Sequence, residues 1–163
     1  MDKPLSPSAQ KIQKELIALG FDFIVIESDA VTRTAQEAAD AAGCSLGQIV
    51  KSLVFKGSVS GRPILVLTSG KNRVNEKLMG GYAGEPIARA NPDFVRSVTG
   101  FAIGGIPPIA LSQPIDAYLD EDLLEYPTIW AAAGTPNAIF ELTPLALQAM
   151  THGQVIKVKV TSS

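Results

Sequence analysis

The stretch QIVKSLVFKGSVSGRPILVLTSG, residues 48–70, decides the class of fold, because it contains two apolar runs separated by turn-forming residues. In the first run, 48–57, successive side chains alternate between two faces, so a strand here carries Lys51 on the same face as Leu53. The second run, 62–70, is almost continuously apolar, which indicates a central strand buried on both faces. The two runs together predict a sheet at the centre of the protein.

Helices and one further strand are predicted before this pair. Residues 6–20 carry apolar side chains at helical spacing, with Ser6 as the N-cap and a glycine at the end. Residues 21–27, FDFIVIE, are β-branched and aromatic, which favours a strand. Residues 34–43, TAQEAADAAG, begin with a capping box and end at a glycine, which predicts a second helix. Helices and strands therefore alternate in the first part of the chain.

The remainder of the chain is predicted to form further helices and shorter strands. Capping and breaking residues indicate helices at 72–81, 90–100 and 143–153, strands at 101–103, 114–119, 128–133, 138–143 and 154–160, and a hairpin-like turn, GTPN, at 134–137. This order of elements predicts an α/β (α+β) fold with a mixed sheet flanked by helices.

The composition is that of an ordinary globular domain. The chain has 163 residues, 46% of them hydrophobic and 18% charged, so we expect a single domain over residues 1–163. The net charge of -2 argues against a protein that holds nucleic acid through many phosphate contacts. No apolar run is long enough to span a bilayer and the N-terminus lacks a secretory signal, so we expect a cytoplasmic protein without membrane contact.

The residue types of common catalytic sites are scarce. The chain has one histidine, His152, at the end of a predicted helix, where a charge suits the helix dipole. Its one cysteine, Cys44, is either a packed side chain or a reactive thiol. The acids of residues 120–122 open a short predicted helix, and their charges also suit its dipole. A zinc site or a catalytic triad therefore has few residues to use, and no metal or cofactor is expected.

Lys51 stands out because a charge lies among apolar neighbours on a predicted strand. One interpretation is a lysine that reaches water at the sheet edge or prevents edge pairing. The other is a functional ammonium at the mouth of a pocket, where partial burial strengthens its interaction with an ester carbonyl or a carboxylate.

The segment GGIPP, residues 104–108, also has two interpretations. It is either a bend between strands, or a ligand-binding loop in which Gly104 and Gly105 offer backbone N–H donors to a developing oxyanion while the prolines keep the loop rigid. The spacing of glycines in phosphate-binding motifs is absent.

The chain resembles the YbaK/ProX-type family of aminoacyl-tRNA editing proteins, which includes the editing domain of bacterial prolyl-tRNA synthetases. The resemblance lies, in order, in residues 34–55, TAQEAADAAGCSLGQIVKSLVF; 99–111, TGFAIGGIPPIAL; 115–124, IDAYLDEDLL; and 134–147, GTPNAIFELTPLAL. It implies a three-layer fold with a mixed sheet, and hydrolysis of the ester between a wrong amino acid and the 3′ end of tRNA.

The resemblance also implies roles for individual residues. Lys51 matches the family's key lysine, which is thought to contact the terminal adenosine or the ester. Gly104 and Pro108 match a GxxxP loop that lines the aminoacyl pocket, and Ser52 departs from the asparagine of several relatives. We therefore expect Lys51, Gly104 and Gly105 to be catalytic, and the substrate to be bound by Leu53, Ile106, Pro107, Pro108, Gly134 and Asn137.

The implied function is a trans-editing deacylase for tRNA(Pro) that carries a small amino acid such as Ala or Cys. The implied partners are this mischarged tRNA and a prolyl-tRNA synthetase. Two alternatives stay open at this point: a non-catalytic module that binds charged tRNA or a synthetase, and a small-molecule binding protein on the same fold.

Overall fold

The computed structural model describes residues 4–29 and 34–159. Within these ranges the chain forms five α-helices, two short 3₁₀-helices and eight strands. The α-helices are α1 Pro7–Ala18, α2 Ala35–Ala42, α3 Glu76–Ala83, α4 Pro92–Thr99 and α5 Pro144–Thr151, and the 3₁₀-helices are Leu46–Gln48 and Glu121–Glu125. The strands are β1 Val25–Glu27, β2 Val50–Gly57, β3 Pro63–Ser69, β4 Ile87–Arg89, β5 Asp116–Asp120, β6 Ile129–Ala132, β7 Ala138–Leu142 and β8 Gln154–Ile156.

The strands form two sheets. The larger sheet has the order β4-β2-β3-β5-β8 and is mixed, because β2 is antiparallel to β3 and β4 whereas β5 is parallel to β3 and β8. The smaller sheet, β1-β7-β6, is antiparallel, and a single parallel bridge between Ile49 and Trp130 connects it to the start of β2. The predicted mixed α/β fold with flanking helices is confirmed.

The larger sheet is buried on both faces, as the apolar run in β3 predicts. Leu65 and Leu67 of β3 belong to the larger core cluster, which also contains side chains of α1, α4, α5 and the smaller sheet. Ile64 and Val66 point to the other face, where they pack in a second cluster with Met79 of α3. Each fully buried Leu or Ile contributes about 1.5–3 kcal/mol. The molecule therefore has three layers, with the larger sheet in the middle.

The helix ends follow the predicted capping residues. The hydroxyl of Ser6 accepts a hydrogen bond from the amide of Ala9 at 3.4 Å, and the hydroxyl of Thr34 accepts one from the amide of Glu37 at 3.1 Å. Gly43 ends α2 in the left-handed conformation, with φ 72°. None of the helices in the described ranges is both long and apolar enough to cross a membrane.

Some predicted elements are shorter than expected or absent. Residues 101–103 form a turn rather than the predicted strand, because the left-handed Gly100 and Gly104 bend the chain on either side of them. The helix predicted from residue 72 begins at Glu76, since Asn75 is its N-cap. The strand β4 was not predicted, as it has only three residues.

The predicted strands at the two ends of the chain are also shortened. The strand predicted at 21–27 comprises only β1, because Phe21 and Phe23 stack on one another, with ring centroids 5.6 Å apart, before the strand begins. The strand predicted at 154–160 ends at Ile156, and Val160 lies outside the described residues.

Candidate functional site

A cavity opens where one edge of β2 has no partner strand. Along this edge, β4 pairs with Phe55–Gly57 and Trp130 forms a single bridge with Ile49, which leaves residues 51–53 uncovered in the described part of the chain. A cavity of about 230 Å³ lies against the uncovered part. Its walls come from residues 49–53, from the loop at 103–106, from the hairpin of β6 and β7, and from the start of α2.

The cavity walls are mainly apolar. The side chains of this kind are Ala35, Ala38, Ile49, Val50, Leu53, Ile103, Ile106, Trp130, Ala131, Ala132, Pro136 and Ile139. The polar side chains among the described lining residues are Thr34, Lys51 and Ser52. No carboxylate or imidazole is among the described lining residues, so the charged group available to a ligand there is the ammonium of Lys51.

The half-buried Lys51 is held at the cavity by the loop that follows β3. Its Nζ donates a hydrogen bond to the backbone carbonyl of Asn72 at 2.8 Å. Burial lowers the pKa of Lys51, the nearby charge of Arg89 lowers it further, and the carboxylate of Asp120 partly offsets both effects. A partly buried ammonium is suited to bind an ester oxygen or another electron-rich group.

The side chain of Asn72 connects this lysine to two acids. Its Nδ2 donates to Oδ2 of Asp120 at 2.7 Å and to Oδ2 of Asp122 at 2.8 Å. Asp120 is almost fully buried, and its Oδ2 also accepts from the hydroxyl of Thr68 and the amide of Ser69, each at 3.0 Å. The acids do open a 3₁₀-helix, since Oδ1 of Asp120 accepts from the amide of Asp122, but they also fix the Asn72 loop.

The two glycines of the GGIPP loop have different positions. Gly104 lines the cavity with φ 96°, and its amide has no backbone acceptor among the described residues. The amide of Gly105 donates to the carbonyl of Ala102 at 3.0 Å, so the prediction of a free N–H group is wrong for Gly105. A Cβ on Gly105 would lie 2.9 Å from the backbone of Thr135. Gly105 is therefore required by the close packing of two loops.

The hairpin turn at 134–137 is held from several sides. The amide of Gly134 donates to the carbonyl of Gly105 at 3.0 Å, and the side-chain amide of Asn137 donates to the carbonyl of Ser28. The carboxylate of Glu27 accepts from the hydroxyl of Thr135 at 2.8 Å and from the amide of Ser6 at 2.7 Å. These contacts place Pro136 in the cavity wall.

The structure brings together four of the nine predicted site residues. Lys51, Leu53, Gly104 and Ile106 line the cavity. The others, which do not line it, are Gly105, Pro107, Pro108, Gly134 and Asn137. Pro107 and Pro108 are buried behind the loop, Gly105 and Gly134 join the two loops, and Asn137 lines a smaller neighbouring cavity of about 110 Å³.

Sequence reasoning missed part of the cavity wall. Trp130 and Ala131 come from β6, and Ala38 comes from α2. These residue types are common in any protein core, so no local pattern in the sequence marks them as part of a cavity. Ser52 did carry a signal, as a polar residue on an apolar strand. Its Oγ is buried and has no hydrogen-bond partner in the described part of the chain.

The histidine and the cysteine lie elsewhere. His152 ends α5 in the left-handed conformation, with φ 54°, and lines a surface groove beside β5 rather than the cavity. Burial raises the pKa of Cys44, and the charge of Glu141 raises it further, so the thiol is not activated. No cluster of three or more metal-binding side chains occurs within residues 4–29 and 34–159.

The sequence of this chain also matches a known protein family. The profile of the aminoacyl-tRNA editing domain family matches residues 29–150. The chain belongs to the aminoacyl-tRNA editing domain family, and the resemblance found in the sequence is confirmed.

Individual relatives place the chain more closely. A crystal structure described as that of a candidate trans-editing enzyme for prolyl tRNA synthetase is 51% identical, has a TM-score of 0.92, and covers 97% of this chain and 100% of its own. Protein YwhH of Bacillus subtilis (strain 168) is 32% identical over 131 residues, which are 80% of this chain and 83% of YwhH.

A longer relative shares only one region with this chain. The proline--tRNA ligase of Limosilactobacillus fermentum is 31% identical over 94 residues, which are 55% of this chain but 16% of the ligase. The shared region is thus a small part of that enzyme.

Proposed function

We propose that this protein is a trans-editing deacylase, which acts in the cytoplasm on a tRNA charged with a wrong, small amino acid. The first candidates are tRNA(Pro) esters of Ala and Cys. The observation that carries the proposal is that Lys51 and Gly104 line one small, mainly apolar cavity, and that the amide of Gly104 has no acceptor among the described residues.

The size of the cavity favours a small aminoacyl group. At roughly 30 Å³ for each water molecule of liquid, about 230 Å³ is the space of about eight waters, which is enough for an aminoacyl group with a small side chain. The apolar walls favour an aliphatic side chain. One methylene in such a pocket changes binding by about 1–3 kcal/mol, so the exact packing of the wall selects among small amino acids.

The chemistry needs charge stabilisation more than a basic side chain. When water attacks the ester carbonyl, negative charge develops on the carbonyl oxygen, and Lys51 and the amide of Gly104 stabilise it. Loss of one such donor typically slows a reaction about 10²-fold to 10³-fold.

The tRNA itself supplies the other groups of the reaction, which are the leaving ribose oxygen and the neighbouring hydroxyl. The bond between the carbonyl carbon and the ribose oxygen breaks, and the leaving oxygen takes the proton that the attacking water loses. The vicinal hydroxyl of the terminal ribose orients this water. The products are the free amino acid and the uncharged tRNA.

The test is hydrolysis of tRNA(Pro) charged separately with Ala, Cys, Ser and Pro. We expect wild-type protein to release a non-cognate amino acid and to spare Pro, and Lys51→Ala to be at least about tenfold slower. Lys77→Ala, which removes an exposed lysine of α3, is the matched control and should keep the wild-type rate.

Two results would contradict the proposal. Hydrolysis no faster than the spontaneous rate for every ester would exclude deacylase activity on this tRNA. Tight binding of the charged tRNA without turnover would then support a non-catalytic binding module.

A further inference from the structure

A second cation, Arg89, lies close enough to Lys51 to act on its charge but does not line the cavity. Arg89 is the last residue of β4, and the uncovered edge of β2 begins where β4 ends. The side chain of Arg89 is exposed. Because Arg89 does not line the cavity but its charge acts on Lys51, we place it at the rim of the cavity rather than in its wall.

Strand register places Arg89 and Lys51 on one face of the larger sheet. Arg89 lies directly opposite Phe55 on β2, so the two side chains share a face. Lys51 is four residues before Phe55, and the alternation of a strand puts it on the same face. At about 3.3 Å per residue the two positions on β2 are about 13 Å apart, a gap that the long side chains of Lys51 and Arg89 partly close.

The guanidinium of Arg89 is held in place by the ring of Phe55. Its central carbon lies 5.7 Å from the ring centroid, and Phe55 is fully buried. Such an arrangement fixes one face of the guanidinium while its N–H edges stay free for an anion.

No ion pair neutralises Arg89 within the described residues. Other cations of the protein do have partners: Arg62 pairs with Glu85 at 3.4 Å and Asp116 at 2.6 Å, and Lys159 pairs with Asp122 at 3.2 Å. The charge of Arg89 acts on Lys51 instead, where it helps to lower the pKa of the ammonium. Two cations on one face, without a paired carboxylate, make this rim a place where an anion is favoured.

We propose that Arg89 binds a backbone phosphate of the RNA strand whose 3′ end enters the cavity. This inference rests on the proposed function, because it takes the ligand to be an aminoacyl-tRNA. The ester linkage itself is neutral, but the strand next to it carries a negative charge at each phosphate. A guanidinium binds a phosphate through two parallel N–H bonds, which an ammonium does not.

The test compares two substrates that differ in phosphate. One is the full aminoacyl-tRNA, and the other is the same amino acid esterified to adenosine without any phosphate. We expect Arg89→Ala to raise KM for the tRNA about tenfold with little change in kcat. The variant should leave hydrolysis of the adenosine ester unchanged, and Arg89→Lys should restore the tRNA KM only in part.

Salt dependence provides a second readout. The slope of log K against log salt for binding of tRNA should become shallower by about one unit in Arg89→Ala. Arg96→Ala is the matched control, because Arg96 is an exposed arginine on α4, which packs on the other face of the sheet.

Some outcomes overturn the inference while the deacylase proposal stands. These are an unchanged KM and slope in Arg89→Ala, or an equal loss of activity on both substrates. If wild-type protein cleaves neither substrate, the deacylase proposal fails instead. Binding of uncharged tRNA(Pro) then tests Arg89 separately, and an unchanged Kd and salt slope in the variant would refute the phosphate site.

Discussion

The ammonium of Lys51 and the side chain of Asp120 are separated by one asparagine. Lys51 donates to the backbone carbonyl of Asn72, and the side-chain amide of Asn72 donates to Asp120. Across the described residues, Lys51 forms no ion pair with either Asp120 or Asp122. The ammonium is thus held at a fixed place by a neutral carbonyl, and its other N–H donors stay available to a substrate.

We predict that Asn72→Ala lowers kcat about tenfold and moves the alkaline limb of its pH profile to higher pH. Burial lowers the pKa of Lys51, so activity that needs the ammonium is lost below the pH at which free lysine titrates. The variant keeps the backbone carbonyl but loses the side-chain bonds that fix this loop to Asp120 and Asp122. The ammonium of Lys51 can then pair with Asp120, which raises the pKa of Lys51 and withdraws its ammonium from the cavity. The measurement is kcat as a function of pH.

Asn75→Ala is the control for this variant. Asn75 lies in the same loop and caps α3 by accepting from the amide of Leu78 at 3.1 Å. Its loss should cost about 1 kcal/mol of stability without a shift of the alkaline limb. If both variants move the limb equally, Asn72 has no specific role in positioning Lys51.

Gly105→Ala should destabilise the protein by about 1–3 kcal/mol, as overpacking usually does. The new Cβ would lie 2.9 Å from the Thr135 backbone. Thr135 is part of the hairpin turn, so its backbone moves only if the whole turn moves. Gly81→Ala is the opposite case, because a Cβ there meets nothing within 4 Å and Gly81 lies inside α3. Urea unfolding should show Gly81→Ala stabilised by about 0.5–1 kcal/mol. A wild-type stability for Gly105→Ala would disprove the tight contact.

Ser52→Ala should leave the free energy of unfolding unchanged or raise it by up to about 1 kcal/mol. The hydroxyl of Ser52 is buried and has no partner among the described residues, so its removal relieves a desolvation cost. Ser69→Ala is the comparison, because the buried Ser69 hydroxyl donates to the carbonyl of Gly47 at 2.7 Å. That variant should lose about 1–3 kcal/mol. Equal losses in the two variants would show that Ser52 does have a partner in solution.

Glu85 should contribute stability that depends on pH. Its pKa is lowered from 4.5 to about 2, mainly because the carboxylate accepts hydrogen bonds from Ser60, with smaller effects from Val59 and Arg62. A lowered pKa in the folded state stabilises the protein above pH 4.5, and this contribution is lost as pH falls towards 2.

The test of Glu85 is thermal unfolding across this pH range. Glu85→Gln should be less stable than wild type at neutral pH and should show a shallower decline in acid. Asp22→Asn, at an exposed acid, should keep the wild-type decline. Parallel curves for wild type and Glu85→Gln would mean that Glu85 titrates normally.

The sequence by itself determined those elements whose signals are local. Alternating and continuous apolar runs predicted β2 and β3, and capping side chains predicted the starts of α1 and α2. The hairpin turn at 134–137 was also predicted from its residue types. Each of these depends on contacts within a few residues, which is why a single sequence suffices.

Only the tertiary structure decided the environment of the site. The bond from Lys51 to Asn72 spans 21 residues, and the bond from Asn72 to Asp120 spans 48. The short strand β4 exists because β2 offers it an edge, and its end leaves the opening for the cavity. The wrong expectation for Gly105 has the same origin, since the sequence predicted a glycine loop but not the acceptor that its amide finds. Contacts between distant segments depend on how the layers pack, and no local pattern encodes that packing.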